Sequence, residues 1–241
     1  NDKETLAAWA GLLDGKPPDR TQKHANVLLS LDSAGNYQDI AVEATVEATG
    51  WSWSSKFGDL NSDGNLDLYV VNGGITAQVF NHLLGDELVE ENQVRMGNGN
   101  GHFSPKPEWK LNSTRSGRGM SMADLDNDGD LDVIVSNMRA SSQVFQNQLC
   151  RGSNLLVDLR QPNTRNTYAI GTRAVLVTKS EIKQTRFVRA QSGYLSGDSS
   201  RLHFGIPDGD EPTVLEITWP DGRQSTVHDI ESSTRLVVKR Q

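Results

Sequence analysis

The sequence predicts an all-β protein, and three observations support this. An acidic loop motif occurs twice, at residues 59–67 and 124–132. Shorter matches recur at nearly the same offset of 65 residues. The last ninety or so residues contain short β-branched runs separated by turn residues. Together these features predict a partial β-propeller of about two four-stranded blades, followed by a small antiparallel β-sandwich or barrel.

The chain begins with a segment that differs from the rest. Residues 4–13 are typical of a short helix, which Gly15 and the Pro17-Pro18 pair end. We therefore predict an N-terminal helix and linker over residues 1–25, propeller blades over 26–150 and a separate C-terminal domain over 151–241.

Both acidic loops read Asp-x-(Asn/Asp)-x-Asp-Gly-x-x-Asp. Calcium binds six to eight oxygens at about 2.3–2.6 Å, and a short loop supplies them when alternate side chains point inward. Glycine at position 6 permits the sharp turn that directs the next carbonyl to the ion. The predicted ligands at positions 1, 3, 5, 7 and 9 are Asp59, Asn61, Asp63, Asn65 and Asp67, and Asp124, Asp126, Asp128, Asp130 and Asp132. The sequence thus predicts two Ca²⁺ sites.

The loops are not EF-hands. An EF-hand requires a glutamate at position 12 and a following helix, whereas position 12 is Val70 in one loop and Val135 in the other. Each loop runs instead into a β-branched segment typical of a buried strand. Plain turns are the alternative interpretation, and the identical spacing of two copies argues against it.

The loops lie within a longer repeat. Residues 78–80 and 143–145 both read Gln-Val-Phe, and a Gly-x-aromatic turn at 35–37 recurs at 101–103. Each repeat unit is predicted to contain about four strands, with a final strand around Val79 or Val144. Closed propellers have four to eight blades, so other protein chains or remaining blades are expected to complete this one.

The repeat resembles the FG-GAP or VCBS repeats of integrin-like propellers. Phe57-Gly58 keeps the namesake dipeptide, whereas the second copy has Met122-Ala123. The resemblance implies that calcium holds the hairpin loop of each blade.

The C-terminal part carries strand-like runs at residues 155–159, 174–178, 185–189, 214–219 and 235–239. Its sequences AIGTR (169–173), SGYLS (192–196), LHFG (202–205) and ITWPDGR (217–223) are similar to the ASPIC/UnbV domain. That resemblance implies an architecture and no established catalytic residues.

Composition constrains partners and location. The chain has 24 basic and 31 acidic residues, a net charge of −7 and a pI near 5.2, and it lacks a basic stripe with interleaved aromatics, so nucleic acid is not expected. No run of eighteen apolar residues predicts a membrane span. A single cysteine, Cys150, excludes a disulfide framework. Calcium loops of this kind favour an extracytoplasmic setting: secreted, periplasmic or at the cell surface.

Signals for catalysis are weak. Ser121 lies in a sequence that approximates a nucleophile elbow but precedes an acidic loop rather than a helix. The histidines form no zinc-binding pair, and His203 is expected in a strand. The glycine-rich residues 97–101 are better explained as a hairpin turn than as a phosphate loop. Cys150 is better explained as an ordinary buried thiol than as a reactive one.

Four residues just upstream of the loops are candidates for ligand or partner binding: Trp51, Trp53, Arg115 and Arg118. They would contact protein or glycan, although the tryptophans could instead fill space between blades. We expect a non-enzymatic, calcium-stabilised binding or scaffold module. The alternative is a fragment of a calcium-dependent carbohydrate-active or other secreted enzyme with its active site on the propeller face.

Overall fold

A computed structural model describes residues 25–74, 90–149 and 152–240. Within these ranges the chain forms sixteen strands in five sheets and one short 3₁₀-helix, which confirms the all-β class. The predicted helix at 4–13, the strand around Val79 and Cys150 lie outside the described residues. No helix in the described ranges is long and apolar enough to cross a membrane.

The first part of the chain forms three antiparallel sheets, none of them closed. A two-stranded sheet contains β1 (Leu29–Leu31) and β2 (Tyr37–Asp39). A four-stranded sheet contains, in order, β3 (Ser52–Gly58), β4 (Asp67–Asn72), β5 (Gln93–Gly97) and β6 (Phe103–Pro105). After the 3₁₀-helix Pro107–Trp109, a three-stranded sheet contains β7 (Gly117–Ala123), β8 (Asp132–Asn137) and β9 (Gln143–Phe145).

The two acidic loops are hairpin connections with the same register. The first joins β3 to β4, where Gly58 faces Asp67, and the second joins β7 to β8, where Ala123 faces Asp132. Both hairpins also carry a register shift at the same distance upstream of the loop. The sequence repeat therefore corresponds to a repeat of structure.

The strands of the two repeat units are distributed among the sheets differently from the prediction. Leu68 of β4 faces Arg95 of β5, and the equivalent Val133 of β8 faces Phe145 of β9. In the first sheet β5 is therefore the third strand, in the position that β9 has in the second sheet. The Gly-x-aromatic turn at residues 101–103, which the sequence places at the start of the second unit, belongs to the first sheet because β5 and β6 pair as a hairpin.

The strand after the first loop, β4, is buried because it packs on both faces. In β4, all six positions are buried. Tyr69 and Val71 face a cluster that includes Met120 and Val133 of the next sheet, so this cluster joins the two sheets. Leu68 and Val70 face a second cluster, formed with Ala41, Ala44 and Val46. Burial on both faces explains why the run is apolar without alternation.

The C-terminal part forms two sheets around one core. Its strands are β10 (Ser153–Arg160), β11 (Arg173–Thr178), β12 (Lys183–Phe187), β13 (Leu202–Ile206), β14 (Pro212–Thr218), β15 (Gln224–His228) and β16 (Thr234–Lys239). The sheet orders are β13-β10-β16 and β12-β11-β14-β15, and both sheets bury side chains such as Leu155, Leu176 and Phe204 in one cluster. The arrangement agrees with the expected sandwich, except that β10 and β16 pair in parallel.

Candidate metal centres at the junction of the sheets

The two acidic loops share an unusual backbone conformation. Position 4 has a positive φ in both, at 57° for Ser62 and 67° for Asn127. Position 6 also has a positive φ, at 86° for Gly64 and 98° for Gly129. Glycine adopts this conformation without a steric penalty. The sequence spacing therefore encodes one loop shape used twice.

Hydrogen bonds within each loop hold the side chains of positions 3 and 5 inside the turn. The side-chain oxygens of Asn61 and Asp126 accept from the N–H of position 5, each at 3.3 Å. Those of Asp63 and Asp128 accept from the N–H of position 7, at 2.8 and 3.1 Å. Each of these groups retains further lone pairs for a ligand.

The aspartate at position 9 braces each loop against its sheet. Asp67 accepts from Leu60 N–H at 2.9 Å and from Gly97 N–H at 3.0 Å. Asp132 accepts in the same way from the N–H groups of Leu125 and Asn147, at 2.9 and 2.8 Å. Position 9 thus ties the first loop to β5 and the second loop to the segment just after β9, a role that the sequence did not predict. Its role as a metal ligand remains a prediction.

The second loop gathers carboxylates at one point. Ligand oxygens of Asp124, Asp126 and Asp128 all lie within 4.8 Å of one another. Within the described residues, the buried Oδ1 of Asp124 has no hydrogen-bond partner. Converging anionic oxygens, one of them buried without a donor, fit a hard cation such as Ca²⁺.

The first loop is buried rather than exposed. Asp59 is 1% exposed and Asp67 is completely buried. Burial and the neighbouring Asp63 raise the pKa of Asp59 to about 7, and burial raises the pKa of Asp67 to about 7 as well. Buried carboxylates are costly to ionise without a compensating positive charge, so these residues also fit a cation.

The C-terminal sheets enclose the first loop by close backbone contact. A Cβ added to Gly205 of β13 would lie 2.1 Å from Asp59 Oδ2, and one added to Gly152 would lie 2.5 Å from the Ser62 carbonyl oxygen. The Ser62 hydroxyl donates to Asn154 Oδ1 of β10 at 2.8 Å. Glycine is required at both positions for this approach.

A single side chain connects the two loops. Asn147 Nδ2 donates to the carbonyl of Leu60 in the first loop at 2.7 Å and to that of Leu131 in the second at 3.1 Å. The second loop also borders a cavity of about 310 Å³ that Arg201 and Arg235 of the C-terminal part help to line. Asp158, which is 2% exposed, forms ion pairs with both arginines. Both candidate metal centres therefore lie at the junction with the C-terminal sheets.

Two of the predicted ligand-binding residues contact each other. The Arg118 guanidinium carbon lies 4.1 Å from the centre of a Trp53 ring. Trp53 Nε1 donates to the Gly73 carbonyl at 2.7 Å, and Arg118 donates to the same carbonyl at 3.2 Å. Because Trp53 belongs to β3 and Arg118 to β7, this contact fills space between the two sheets. A role in ligand binding remains a prediction for both.

The other two candidates have local contacts. Arg115 is exposed and donates to the Ser141 carbonyl at 3.2 Å. Trp51 is half-buried, and its backbone N–H donates to Glu90. A role in ligand binding stays a prediction for Arg115 and Trp51.

Sequence reasoning missed a polar centre that joins three parts of the chain. Asp198 accepts hydrogen bonds from Lys56 Nζ of β3 at 2.6 Å, from Met122 N–H of β7 at 2.9 Å and from the Ser192 hydroxyl at 2.5 Å. The Tyr194 ring packs on Trp53, with centroids 5.1 Å apart. The SGYLS sequence at 192–196 was a signal for this contact, since it lies in the loop that docks here.

The features that could suggest catalysis lie in structural positions. The Ser121 hydroxyl donates to the Gly197 carbonyl at 3.0 Å. His203 is buried in β13, as expected for a strand histidine. Residues 97–101 form the hairpin turn between β5 and β6, which confirms that interpretation.

Comparison with known families agrees with both resemblances. Residues 162–241 match the ASPIC and UnbV model, and residues 83–135 match an FG-GAP-like repeat. The chain is also similar to cartilage acidic protein 1, with 31% identity over 176 residues for both the Homo sapiens and Mus musculus proteins and 36% over 111 residues for Xenopus tropicalis. These matches cover 68%, 68% and 44% of this chain.

The same matches cover 24%, 25% and 17% of the three relatives. The chain therefore spans about a quarter or less of the length of the curated relatives it matches.

Proposed function

Because the chain combines an FG-GAP-like repeat with an ASPIC and UnbV region, we propose that it is a calcium-stabilised binding or scaffold module of an extracytoplasmic assembly. The observation that carries the calcium part of this proposal is the convergence of Asp124, Asp126 and Asp128 within 4.8 Å. The repetition of the same loop conformation at residues 59–67 supports a second site.

Calcium would neutralise the loop carboxylates and so favour the folded form. Hydrogen bonds from other residues connect the loops to the surrounding sheets. The position-9 aspartates hold the first loop to β5 and the second loop to the segment just after β9, and Asn147 connects the loops. Ser62 ties the first loop to the C-terminal sheets. Loading both loops would therefore stabilise the junction of three sheets, rather than switch a flexible element.

An interaction role is supported by the open sheets. In the described part of the chain the four-stranded sheet ends at β3 and β6 and the three-stranded sheet ends at β7 and β9, and natural proteins cover such edges. Remaining propeller blades or other protein chains are the proposed partners, with glycan as a further ligand. Two observations support an extracytoplasmic location: calcium is plentiful there, and the matched relatives are named for cartilage.

The contacts of the carboxylates favour binding over catalysis. A cavity between β3 and the C-terminal sheets is lined by Asp59 and Asp198. Asp198 is held by Lys56 and Ser192, and Asp59 accepts the N–H groups of Asp63 and Gly64. A glycosidase would instead need one carboxyl free to act as an acid and another as a base or nucleophile.

Calcium titration tests the proposal. Isothermal titration calorimetry of chelator-treated protein should show two sites for Ca²⁺, and Mg²⁺ should bind much more weakly because it demands a tighter octahedral geometry. Asp128→Asn should weaken one of the sites and leave the other. The proposal is wrong if calcium produces no heat of binding and no change in melting temperature.

A further inference from the structure

A cavity of about 340 Å³ lies between β3, β12 and the loop that precedes β13. Four cationic side chains line it: Lys56, Arg186, Arg189 and Arg201. Two carboxylates, those of Asp59 and Asp198, also line it. The charged groups on its wall therefore sum to +2, in a protein whose net charge is −7. This local reversal of charge makes the cavity attractive to an anion.

Several donors on the cavity wall lack acceptors. The Lys56 side chain is only 3% exposed, and within the described residues its ammonium donates to Asp198 alone. Because an ammonium carries three N–H groups, two remain without a protein acceptor. A buried ammonium with unused donors calls for a further acceptor.

Two arginines that line the cavity also have unused donors. Arg189 is exposed, and its guanidinium carbon lies 5.9 Å from the centroid of the Phe187 ring. Arg201 lies 3.4 Å from Asp158 through Nε, and its terminal nitrogens have no acceptor among the described residues. By contrast, each of the three Arg186 guanidinium nitrogens already donates within the protein, to Gln184, Thr185 and His203.

The acceptor side of the cavity is already occupied. Asp198 accepts from Lys56, Met122 and Ser192, so little of its capacity remains for a ligand. An incoming group thus meets an excess of donors. Oxyanions satisfy such donors best, and planar guanidinium groups bind carboxylate, sulfate or phosphate in bidentate geometry. Neutral polar side chains on the wall, including Thr185, Gln191 and Ser199, suit hydroxyl groups.

We propose that this cavity is a binding site for the oxyanion of an acidic saccharide, held by Lys56, Arg189 and Arg201. The volume is within the usual range for small-ligand pockets and is large enough for one sugar unit with its acidic group. This proposal specifies the class of ligand for the binding role and therefore rests on the proposed function. Trp51 and Arg115 are not among the residues that line it.

The test uses calorimetric titration of the full chain in calcium-containing buffer. The probes are sodium sulfate, sodium glucuronate and glucose, at constant ionic strength set with chloride because exposed charges are screened by salt. Both anions should bind and glucose should not. Glucuronate binding tighter than sulfate assigns the site to an acidic sugar, whereas sulfate binding alone, or glucose binding as well as glucuronate, overturns the saccharide proposal.

Variants test the residues. Arg189→Gln and Arg201→Gln should each weaken glucuronate binding roughly tenfold to a hundredfold, the range expected for a lost charge-assisted hydrogen bond. Arg223→Gln, at an exposed position on the turn before β15, is the matched control and should leave affinity unchanged. If all three variants bound glucuronate with the affinity of the wild type, the site would be overturned.

The melting temperature of the wild type and of each variant is measured with and without calcium. Together with the calorimetric titration of the anions, it separates the two proposals. Calcium stabilisation without anion binding removes the saccharide site and leaves the calcium role. Anion binding without calcium stabilisation removes the calcium role instead.

Discussion

Lys56 and Asp198 are joined by an ion pair in which Nζ lies 2.6 Å from Oδ1, although the two residues are 142 positions apart in the chain. Lys56 lies on the inward face of β3, between buried Ser54 and Gly58. Asp198 comes from the loop before β13 and also binds the backbone of β7 through Met122. The pair therefore connects both repeat sheets to the C-terminal part.

Removal of Asp198 should destabilise the protein because it leaves the Lys56 ammonium buried without a counter-charge. We expect Asp198→Ala to lower the free energy of unfolding by about 2–3 kcal/mol, less than for a fully buried pair, because the Asp198 side chain is 32% exposed. Urea denaturation of both proteins in calcium-containing buffer measures the difference.

The matched control is Glu211→Ala, which removes an ion pair with Lys179 whose side chains are both about two-thirds exposed. That change should cost no more than about 0.5 kcal/mol. In the Lys56→Met background, Asp198→Ala should cost less than in the wild type. An equal cost in both backgrounds would show that the ion pair contributes nothing.

Gly205→Ala should loosen the contact between the first loop and β13. The new methyl group would lie 2.1 Å from Asp59 Oδ2, so the loop or the strand must move. We expect a loss of about 1–3 kcal/mol, together with weaker calcium binding at one site. Chemical denaturation and calorimetry check both effects.

Gly197→Ala is the control for this substitution. Its added Cβ would lie 3.4 Å from the nearest atom, the Ala190 carbonyl oxygen, and no left-handed φ is involved. It should leave both stability and calcium binding nearly unchanged. Equal effects of the two substitutions would mean that contact with Asp59 is not what requires glycine at 205.

The loop shape was predictable from sequence because its determinants are local. Nine consecutive residues with Asp, Asn and Gly at set positions specify the turn, and the second copy repeats the pattern. The conformations of Gly64 and Gly129 follow from this spacing. The strand after each loop was equally clear, since its apolar run is unbroken.

The junction could not be predicted, because it depends on contacts between distant segments. Nothing local to Lys56 indicates that its partner is Asp198, and nothing local to Trp53 indicates Tyr194. The assignment of the third strand to each sheet could not be predicted from the sequence either. The link between β4 and β5 is longer than the one between β8 and β9, so the same offset does not place the third strand in both sheets.

Substitutions in the two loops should differ in cost. Asp126→Ala removes one of the four carboxylates at positions 1, 3, 5 and 9 of the second loop, whereas Asn61→Ala removes a neutral amide from a loop with three at these positions, so the first should weaken calcium binding more. It also removes the acceptor of the Gln146 amide, at 2.6 Å. Melting curves with and without a chelator measure the calcium-dependent part of stability for each variant. Identical shifts in both variants and the wild type would contradict calcium binding by these residues.

The buried His203 should make the protein sensitive to acid. Burial and the nearby Arg186 charge lower the pKa of His203 to about 3, against about 6.5 for an exposed histidine. Because the unfolded chain takes up this proton first, the stability due to neutral His203 is complete above pH 6.5 and is lost progressively below it. The loss at pH 5 should be about 2 kcal/mol relative to pH 8.

The raised pKa values of Asp59 and Asp67 act in the opposite direction, since protonation of these carboxyls favours the folded state as the pH falls below about 7. The His203 contribution is therefore isolated by comparing wild type with His203→Asn in denaturation experiments from pH 8 to pH 5. The variant should lose about 2 kcal/mol less than wild type over this range. The exposed His228→Asn is the control and should follow wild type. Parallel pH curves for wild type and His203→Asn would mean that His203 is protonated as readily in the folded protein as in the unfolded chain.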